Sequence, residues 1–391
     1  MAIEGQLTID LYREKGAVIK VDIQSSRPLK VVSVLEGKRV GEVLELLPRL
    51  FNVCATAQGV AATRACQRAM GRKPVVAVEA AREMLLLIEA AREHLWRIAL
   101  NWPMLLGETG QSQWAASLST MLADTQMALF GKSHAFSLDA TVEVDHQLLK
   151  TQLSHLKFIL ASEIYGCPSG EWLNGLDMAT WRDWARNGDT PASRLVNWVR
   201  HSDLQRSGST TALFLPALSE MELHEKLSGD AADRFVARPD WDGECLETTT
   251  LVRQAEQTLI KALISEQGYG IETRLAAKLV ELATIQIRLQ EKTESLNAIE
   301  EDTSENPLPK GEGIGQAEAA RGRLAHWVRI DDDIVKAYRI LAPTEWNFHP
   351  DGVVARSLQS LPGEDDHTLR QMALLLIETI DPCVGFELTL H

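Results

Sequence analysis

Two cysteines in unusual settings stand near opposite ends of this 391-residue chain: Cys54 within Leu50-Phe-Asn-Val-Cys-Ala-Thr-Ala-Gln58, and Cys383 within Asp381-Pro-Cys-Val-Gly385. A soft metal needs thiolates, and neither cysteine has a Cys-x-x-Cys partner. A zinc finger, a ferredoxin-type cluster or a thioredoxin-type dithiol is therefore not expected at either place. What remains is one thiol from each end. If both serve one centre, the N-terminal and C-terminal parts of the chain must fold back on each other, and a separately folding C-terminal domain carrying Cys383 away from Cys54 is excluded.

The bulk properties narrow the class. A 45% hydrophobic content supports a substantial core, and the length allows two or three units at roughly 150 residues each. No apolar run approaches the about 18 residues that cross a bilayer. The start, Met1-Ala-Ile-Glu-Gly-Gln6, lacks the basic and apolar regions of a signal peptide, so a cytoplasmic location is expected. Five cysteines, an odd number, point to reduced thiols rather than a disulfide frame. A formal charge of −14 disfavours nucleic acid and anionic membrane as partners.

Hydrophobic periodicity gives a mainly α fold with small β elements. Residues 5 to 34 read as two or three strands, with turns at Lys15-Gly16 and Ser25-Ser-Arg-Pro28. Val75 to Leu100 reads as a long helix with Leu85, Ile88, Leu95 and Ile98 near one face, bounded by Pro74 and Pro103. The echo Glu79-Ala-Ala-Arg82 and Glu89-Ala-Ala-Arg92 within it suits a helix surface. From about Gly107 to Cys245 the chain is tryptophan-rich and irregular, with helices at 144–163 and 178–200. Thr248 to Glu294 reads as a helical hairpin broken at Gly268-Tyr-Gly270, and 295–313 as a surface loop or linker. The expected organisation is one domain: a β-rich part (1–50), a helical body (51–294), a linker (295–314) and a C-terminal part (315–391) that returns to the metal pocket.

Three C-terminal stretches carry a resemblance. Gly315-Gln-Ala-Glu-Ala-Ala-Arg-Gly-Arg-Leu-Ala-His-Trp327, Tyr338-Arg-Ile-Leu-Ala-Pro-Thr-Glu-Trp-Asn347 and Asp381-Pro-Cys383 resemble, in order, motifs of nickel-iron hydrogenase large subunits. In that family these read Glu-Ala-Pro-Arg-Gly, Pro-Thr-Thr-Trp-Asn and Asp-Pro-Cys-x-x-Cys-x-x-His. Near the start, Ile3-Glu-Gly-Gln6 is similar to Arg-Ile-Glu-Gly-His, Gly41-Glu42 falls at Arg-Gly-x-Glu, and Cys54 falls at Arg-x-Cys-Gly-x-Cys. The resemblance implies a nickel-iron hydrogenase large-subunit-like fold.

The departures are as informative. With Cys54 as the first cysteine of its motif, Ala57 replaces the second, Asn52 and Ala55 replace the flanking Arg and Gly, and Ala61 stands where a His would follow. At the other end Phe386 replaces the second cysteine, and His391 stands two positions beyond the family His. In the family the second cysteine of each pair bridges nickel to iron and the first binds nickel alone. The resemblance therefore implies no normal dinuclear centre. It implies a centre in which two thiolates, Cys54 and Cys383, hold an iron dicyano-carbonyl fragment without nickel, soft sulfur suiting low-spin iron.

By motif, Arg321 and Thr344 would donate hydrogen bonds to the cyanide nitrogens, and Ala342-Pro343 would form the apolar wall beside them. Glu42 matches a carboxylate that in the family binds magnesium with the terminal His, here the displaced His391; Glu4 matches a proton-relay glutamate. Taken from the residues alone, other roles stay open. Cys54 is equally a small core residue, Arg321 half of an ion pair and Thr344 a cap. Cys66, Cys167 and Cys245 read as structural, and His326 and His349 as core or surface histidines.

The pattern resembles the HupK/HoxV-type accessory branch of the family. That implies a maturation scaffold that assembles or holds the iron fragment for transfer, without turnover. Its partners would be small iron-delivery maturation chaperones, with the hydrogenase large subunit a further candidate. A chain ending at His391 also suits a protein that needs no removable extension. Two alternatives remain: a divergent hydrogenase or other redox enzyme with a mononuclear site, and a metal-free structural partner.

Overall fold

The computed structural model describes residues 5–27, 29–211, 213–297, 306–363 and 365–391. Strands β1 (Gln6–Glu14) and β2 (Ala17–Ser25) form an antiparallel hairpin over Lys15-Gly16, where both residues take positive φ. Alternation in β1 buries Leu7, Ile9 and Leu11 on one face. The third strand allowed for in this region is instead a 3-10 turn, Leu29–Leu35. Strand β6, introduced here out of chain order as Gly385–Leu390, pairs with β1 in parallel from Gln6↔Gly385 to Leu11↔Leu390. The two ends of the described chain thus lie side by side in one sheet of order β2-β1-β6.

A second sheet is the antiparallel meander of β3 (Glu312–Ala319), β4 (Gly322–Asp331) and β5 (Ile334–Leu341). The first hydrogenase-like stretch, read only as a motif, becomes the β3–β4 hairpin. β4 is buried on both faces along most of its length, so it lacks the polar–apolar alternation that marks a half-exposed strand. The expected loop over 295–313 ends where β3 begins; residues 298–305 of it lie outside the described residues.

Three helices position the N-terminal cysteine: α1 (Val40–Leu50), α2 (Ala55–Ala69) and α3 (Val76–Trp96). The small residues of α2, among them Ala57, Ala61, Ala62 and Ala65, let the helix lie directly on the β3 backbone. Gly315 completes the contact, since a Cβ there would stand 2.0 Å from the Ala61 carbonyl oxygen, and one at Gly313 would stand 2.1 Å from that of Ala65.

Leu85, Ile88, Leu95 and Ile98 are all fully buried. The helix does not stop at Pro103. It runs through a π turn, Arg97–Asn101, into a short helix Trp102–Leu105 that accommodates Pro103 in its first turn, where no amide donor is needed. The Glu–Ala–Ala–Arg echo is not a helix surface: Arg82 and Glu89 are buried, because α3 is packed on nearly every side. Its long neighbour is the helix Ile271–Glu294.

The expected helix at 144–163 is present as His146–Ile159 continued by a π turn, Leu160–Tyr165. The one expected at 178–200 is two helices, Met178–Asn187 and Pro191–His201. The second opens with a capping box in which Thr190 and Ser193 each bond to the other's backbone, which fixes the break at Gly188-Asp-Thr190. The tryptophans between them are core: Trp172, Trp181 and Trp184 pack on one another, and Trp172 stacks on Tyr165. Thr258–Gln267 and Ile271–Glu294 flank the Gly268-Tyr-Gly270 break. Among the described residues, no helix is long and apolar enough to cross a membrane.

The backbone-to-backbone seating of α2 on β3 makes Gly315 a sharp test. Gly315→Ala is expected to lower unfolding free energy by about 3 kcal/mol through overpacking against an atom that cannot rotate away. Gly41→Ala, whose new Cβ meets nothing within 4 Å, serves as the control and should leave the urea midpoint close to the parent value.

Candidate functional site

Cys54 is the residue immediately before α2. Cys383 follows the helix Asp366–Ile380, after Asp381 takes a left-handed φ of 65° that turns the chain toward β6. Pairing of β6 with β1 then holds this turn beside the start of α2. The two cysteines, both buried, come close enough for each thiol to act on the other.

The interaction with Cys383, followed by burial, pushes the Cys54 thiol well up. Cys383 is pulled down from the usual thiol value, first by its interaction with Cys54 and then, against burial, by the charge of Arg321, the Thr344 hydroxyl and Arg27. The Gln58 Nε2 group, one helical turn along α2, donates to the Cys54 sulfur at 3.6 Å. The Cys383 backbone N–H donates to Thr344 Oγ1 at 3.2 Å.

Two carboxylates of α3 frame the pair. Glu89 accepts from the Thr56 and Ala57 N–H groups at 2.7 and 3.1 Å, capping the start of α2 from outside that helix. Burial lifts its carboxyl to about 7, with the two amide bonds pulling the other way. One turn further, Glu93 accepts from Arg321 Nη2 at 3.1 Å and Arg92 Nη2 at 3.0 Å.

Arg321 lies in the tight link between β3 and β4. The next residue, Gly322, has φ 135° and packs so closely on Thr248 that a Cβ would sit 1.8 Å from its carbonyl oxygen. Asn347 Nδ2 donates to the Arg321 carbonyl at 3.1 Å and so ties the hairpin to the helix Pro343–Asn347. The guanidinium Nε reaches the Pro382 carbonyl at 3.2 Å and Asp381 Oδ2 at 3.3 Å. Nη1 makes none of these bonds.

Burial favours the neutral form of Arg321, but Asp381, the Cys383 sulfur and Glu93 outweigh it and hold its pKa up. Asp381 is in turn held well below the usual carboxylate range, despite burial, by Arg321, Lys278 and Arg97. A second guanidinium flanks the sulfurs from the other side. Arg27 Nη1 bonds both carboxylate oxygens of Glu345, at 2.9 and 3.0 Å, and its group lies 5.6 Å over the Phe51 ring. Its charge acts on both cysteines.

Of the residues singled out from sequence, the structure brings Cys54, Cys383, Arg321 and Thr344 together. Pro343 opens the helix that carries Thr344 and is buried. The Thr344 hydroxyl is engaged with the Cys383 sulfur and backbone. Glu42 stands elsewhere, exposed on α1 beside a cleft with Arg39 and Asp333. His391 ends β6, bonds Asp10 Oδ1 at 2.9 Å and stacks on Tyr12. The two share no neighbour. Glu4 lies outside the described residues.

Cys66 is fully buried, its thiol pushed up to about 12 by burial. His326 is a core histidine bonded through Nδ1 to the Tyr338 hydroxyl at 2.7 Å, and Cys245 lies 3.2 Å from His349 Nδ1. Among the described residues no group of three or more His, Cys, Asp or Glu side chains is arranged to hold a metal. The thiol pair is thus a two-sulfur donor set in a basic, buried frame.

Sequence reasoning missed Arg27, Gln58, Glu89 and Glu93. Glu89 and Glu93 carried a signal, two acids one helical turn apart just after the apolar run Met84–Ile88. Arg27 carried none, since its turn context explained it.

Residues 229–385 match the family model described as nickel-dependent hydrogenase. The chain is 30% identical to the hydrogenase expression/formation protein HoxV of Cupriavidus necator, covering 99% of this chain and 95% of that one. It is 28% identical to the hydrogenase expression/formation protein HupK of Azotobacter vinelandii, over 98% of each. A solved NAD+-reducing [NiFe]-hydrogenase in the H2-reduced state shares the fold with a TM-score of 0.65 at 16% identity, covering 97% of this chain and 95% of that one. The fold is thus mainly α with small sheets, of the nickel-iron hydrogenase large-subunit type.

The raised carboxyl of Glu89 gives a pH signature. Its native pKa of about 7 exceeds that of an unfolded glutamate, so the stabilisation it brings is complete below the unfolded value and is lost as pH rises through 7. Glu89→Gln is expected to remove on the order of 2–3 kcal/mol of the decline in unfolding free energy between pH 5 and 8. Urea midpoints at both pH values check this, and an undiminished decline in the variant would refute it.

Proposed function

The chain belongs to the HupK/HoxV family of hydrogenase expression/formation proteins, and from that premise we propose that it is a maturation scaffold holding the iron dicyano-carbonyl fragment between Cys54 and Cys383. The observation that carries this reading is that the two buried cysteines lie together, with two guanidinium groups, Arg321 and Arg27, whose charges act on both sulfurs. Two thiolates supply soft donors to low-spin iron. Arg321 and Arg27 offset the charge that two thiolates and two cyanides bring, and Nη1 of Arg321 is a charged donor outside the protein's own bonds. Capture of iron by both sulfurs requires the protons they carry to leave, and the cations beside Cys383 favour that at its sulfur.

The surroundings of Cys54 sharpen the match. Counted from Arg49, the motif Arg-x-Cys-Gly-x-Cys places Phe51 at its first cysteine and Cys54 at its second, and Gln58 takes the place of the following His. The arrangement supports this register over one starting at Asn52, because Gln58 bonds the Cys54 sulfur and the Arg27 that acts on that sulfur lies over Phe51. Cys54 then occupies a bridging position, one that faces iron in the family, while Cys383 keeps a nickel-facing one. A nickel ion would find two thiolates instead of four, so no hydrogen turnover is expected. The partners would be the chaperones that deliver the fragment and the hydrogenase large subunit that receives it, in the cytoplasm.

Protein isolated without oxygen from a hydrogenase-making host should show cyanide and carbonyl infrared bands, bound iron and little nickel. Cys54→Ala and Cys383→Ala should each abolish the bands. Bands retained in both variants would overturn the thiolate assignment, and stoichiometric nickel with hydrogen uptake would establish the enzyme reading instead.

A further inference from the structure

The thiol pair is buried, yet Cys54 and Cys383 keep 9% and 8% of their surface, more than the Arg321 and Thr344 that hold them. A route for a polyatomic ligand must reach them from outside. A cleft of about 270 Å³ lies on the Arg27 side, close to the lower end of the roughly 300–1,000 Å³ range of small-molecule pockets. One wall is β5, through Ala337 and Ile340; the opposite wall is the 3-10 turn, through Val31 and Val32. Its lining also includes Arg27, whose charge acts on both sulfurs, and Phe51, over whose ring that guanidinium lies. Four other cavities, beside Glu42, beside Cys245, along the helix His146–Ile159 and between Glu83 and Arg253, share no wall residue with the thiol surroundings.

From this we infer that the cleft between β5 and the 3-10 turn is the access route to the thiol pair, and that Phe51 with the Arg27–Glu345 ion pair is its inner gate. The gate is made of an aromatic ring and an ion pair at the inner end of the cleft. Phe51 is an aromatic ring at the end of α1, and Arg27 contacts Glu345 through Nη1 alone, leaving Nη2 outside the pair. Its position suits an anionic ligand carrying acceptor atoms. A guanidinium at the inner end draws such a ligand inward and can donate to it while Glu345 still holds Nη1. What passes through the route rests on the function proposed above; the existence of the route does not.

Alkylation of the reduced, metal-free full-length chain by iodoacetamide, followed peptide by peptide by mass spectrometry, tests this directly. Ala337→Trp and, from the facing wall, Val32→Trp should each slow labelling of Cys54 and Cys383 by roughly tenfold, whereas Phe51→Ala should speed it by a similar factor. Cys66, fully buried away from the cleft, reports any general opening of the fold, and half-exposed Cys245 reports reagent quality. Parent-like labelling of Cys54 and Cys383 in a wall variant that keeps Cys66 protected overturns the route. Slowed alkylation without infrared bands in the isolated protein would leave the route standing and sink the cargo; bands with unchanged alkylation would do the reverse.

Discussion

The parallel pairing of β6 with β1 is the contact on which the rest depends. Parallel strands need a long crossover, and here the crossover is nearly the entire protein. Because β6 enters the sheet at Gly385, Cys383 has no freedom to be elsewhere: the single residue between sheet and sulfur, Val384, keeps it beside the N-terminus of α2. The left-handed turn at Asp381 completes the constraint from the other side, and its carboxylate then anchors Arg321, Arg97 and Lys278 around the same point. Chain topology and charge placement converge on one pocket.

The electrostatics of that pocket are costly and point to function rather than to stability. Burying Arg321, Glu93, Asp381 and Lys278 desolvates four ionised groups, and such networks seldom stabilise more than well-packed apolar residues of the same volume would. Their arrangement instead sets the proton inventory at the sulfurs. Cations beside Cys383 favour its thiolate, while Glu89 beside Cys54 disfavours a second negative charge there. The surroundings thus push the two thiols in opposite directions.

The sequence made the sulfurs and the motif-borne donors legible because each lies in a short contiguous pattern: Asp381-Pro-Cys383, Ala320-Arg321-Gly322 and Pro343-Thr344. The constraint that the chain ends must meet followed from needing both cysteines, and β1 with β6 supplies it. What stayed hidden were groups recruited by packing alone. Arg27 sits in what reads as a turn, and only the fold sets it against Phe51 and Glu345. Glu89 belongs to a repeat that suggested a solvated helix face, but α3 is packed against the helix Ile271–Glu294 and the start of α2, so Glu89 caps the buried Thr56 and Ala57 amides and Glu93 pairs with the buried Arg321. The β3–β4–β5 sheet was not legible for a related reason: a strand covered on both faces loses the alternation that betrays strands, and Gly313 reads as a linker residue and Gly315 as part of a motif when both are contact points for α2.

A hydrogenase large subunit closes its dinuclear centre with sulfur at four places. Around Cys54 the neighbouring groups are of a different character. Phe51 ends α1 with the Arg27 guanidinium over its ring. Gln58 contributes an amide donor to the sulfur, while its Oε1 is buried without a bond. Neither residue offers a soft ligand. An aromatic ring excludes water, and an amide donates to sulfur without adding a soft donor of its own. The soft donors of the described surroundings are therefore the two sulfurs alone, and the scaffold reading rests on that pair and on the cations beside it.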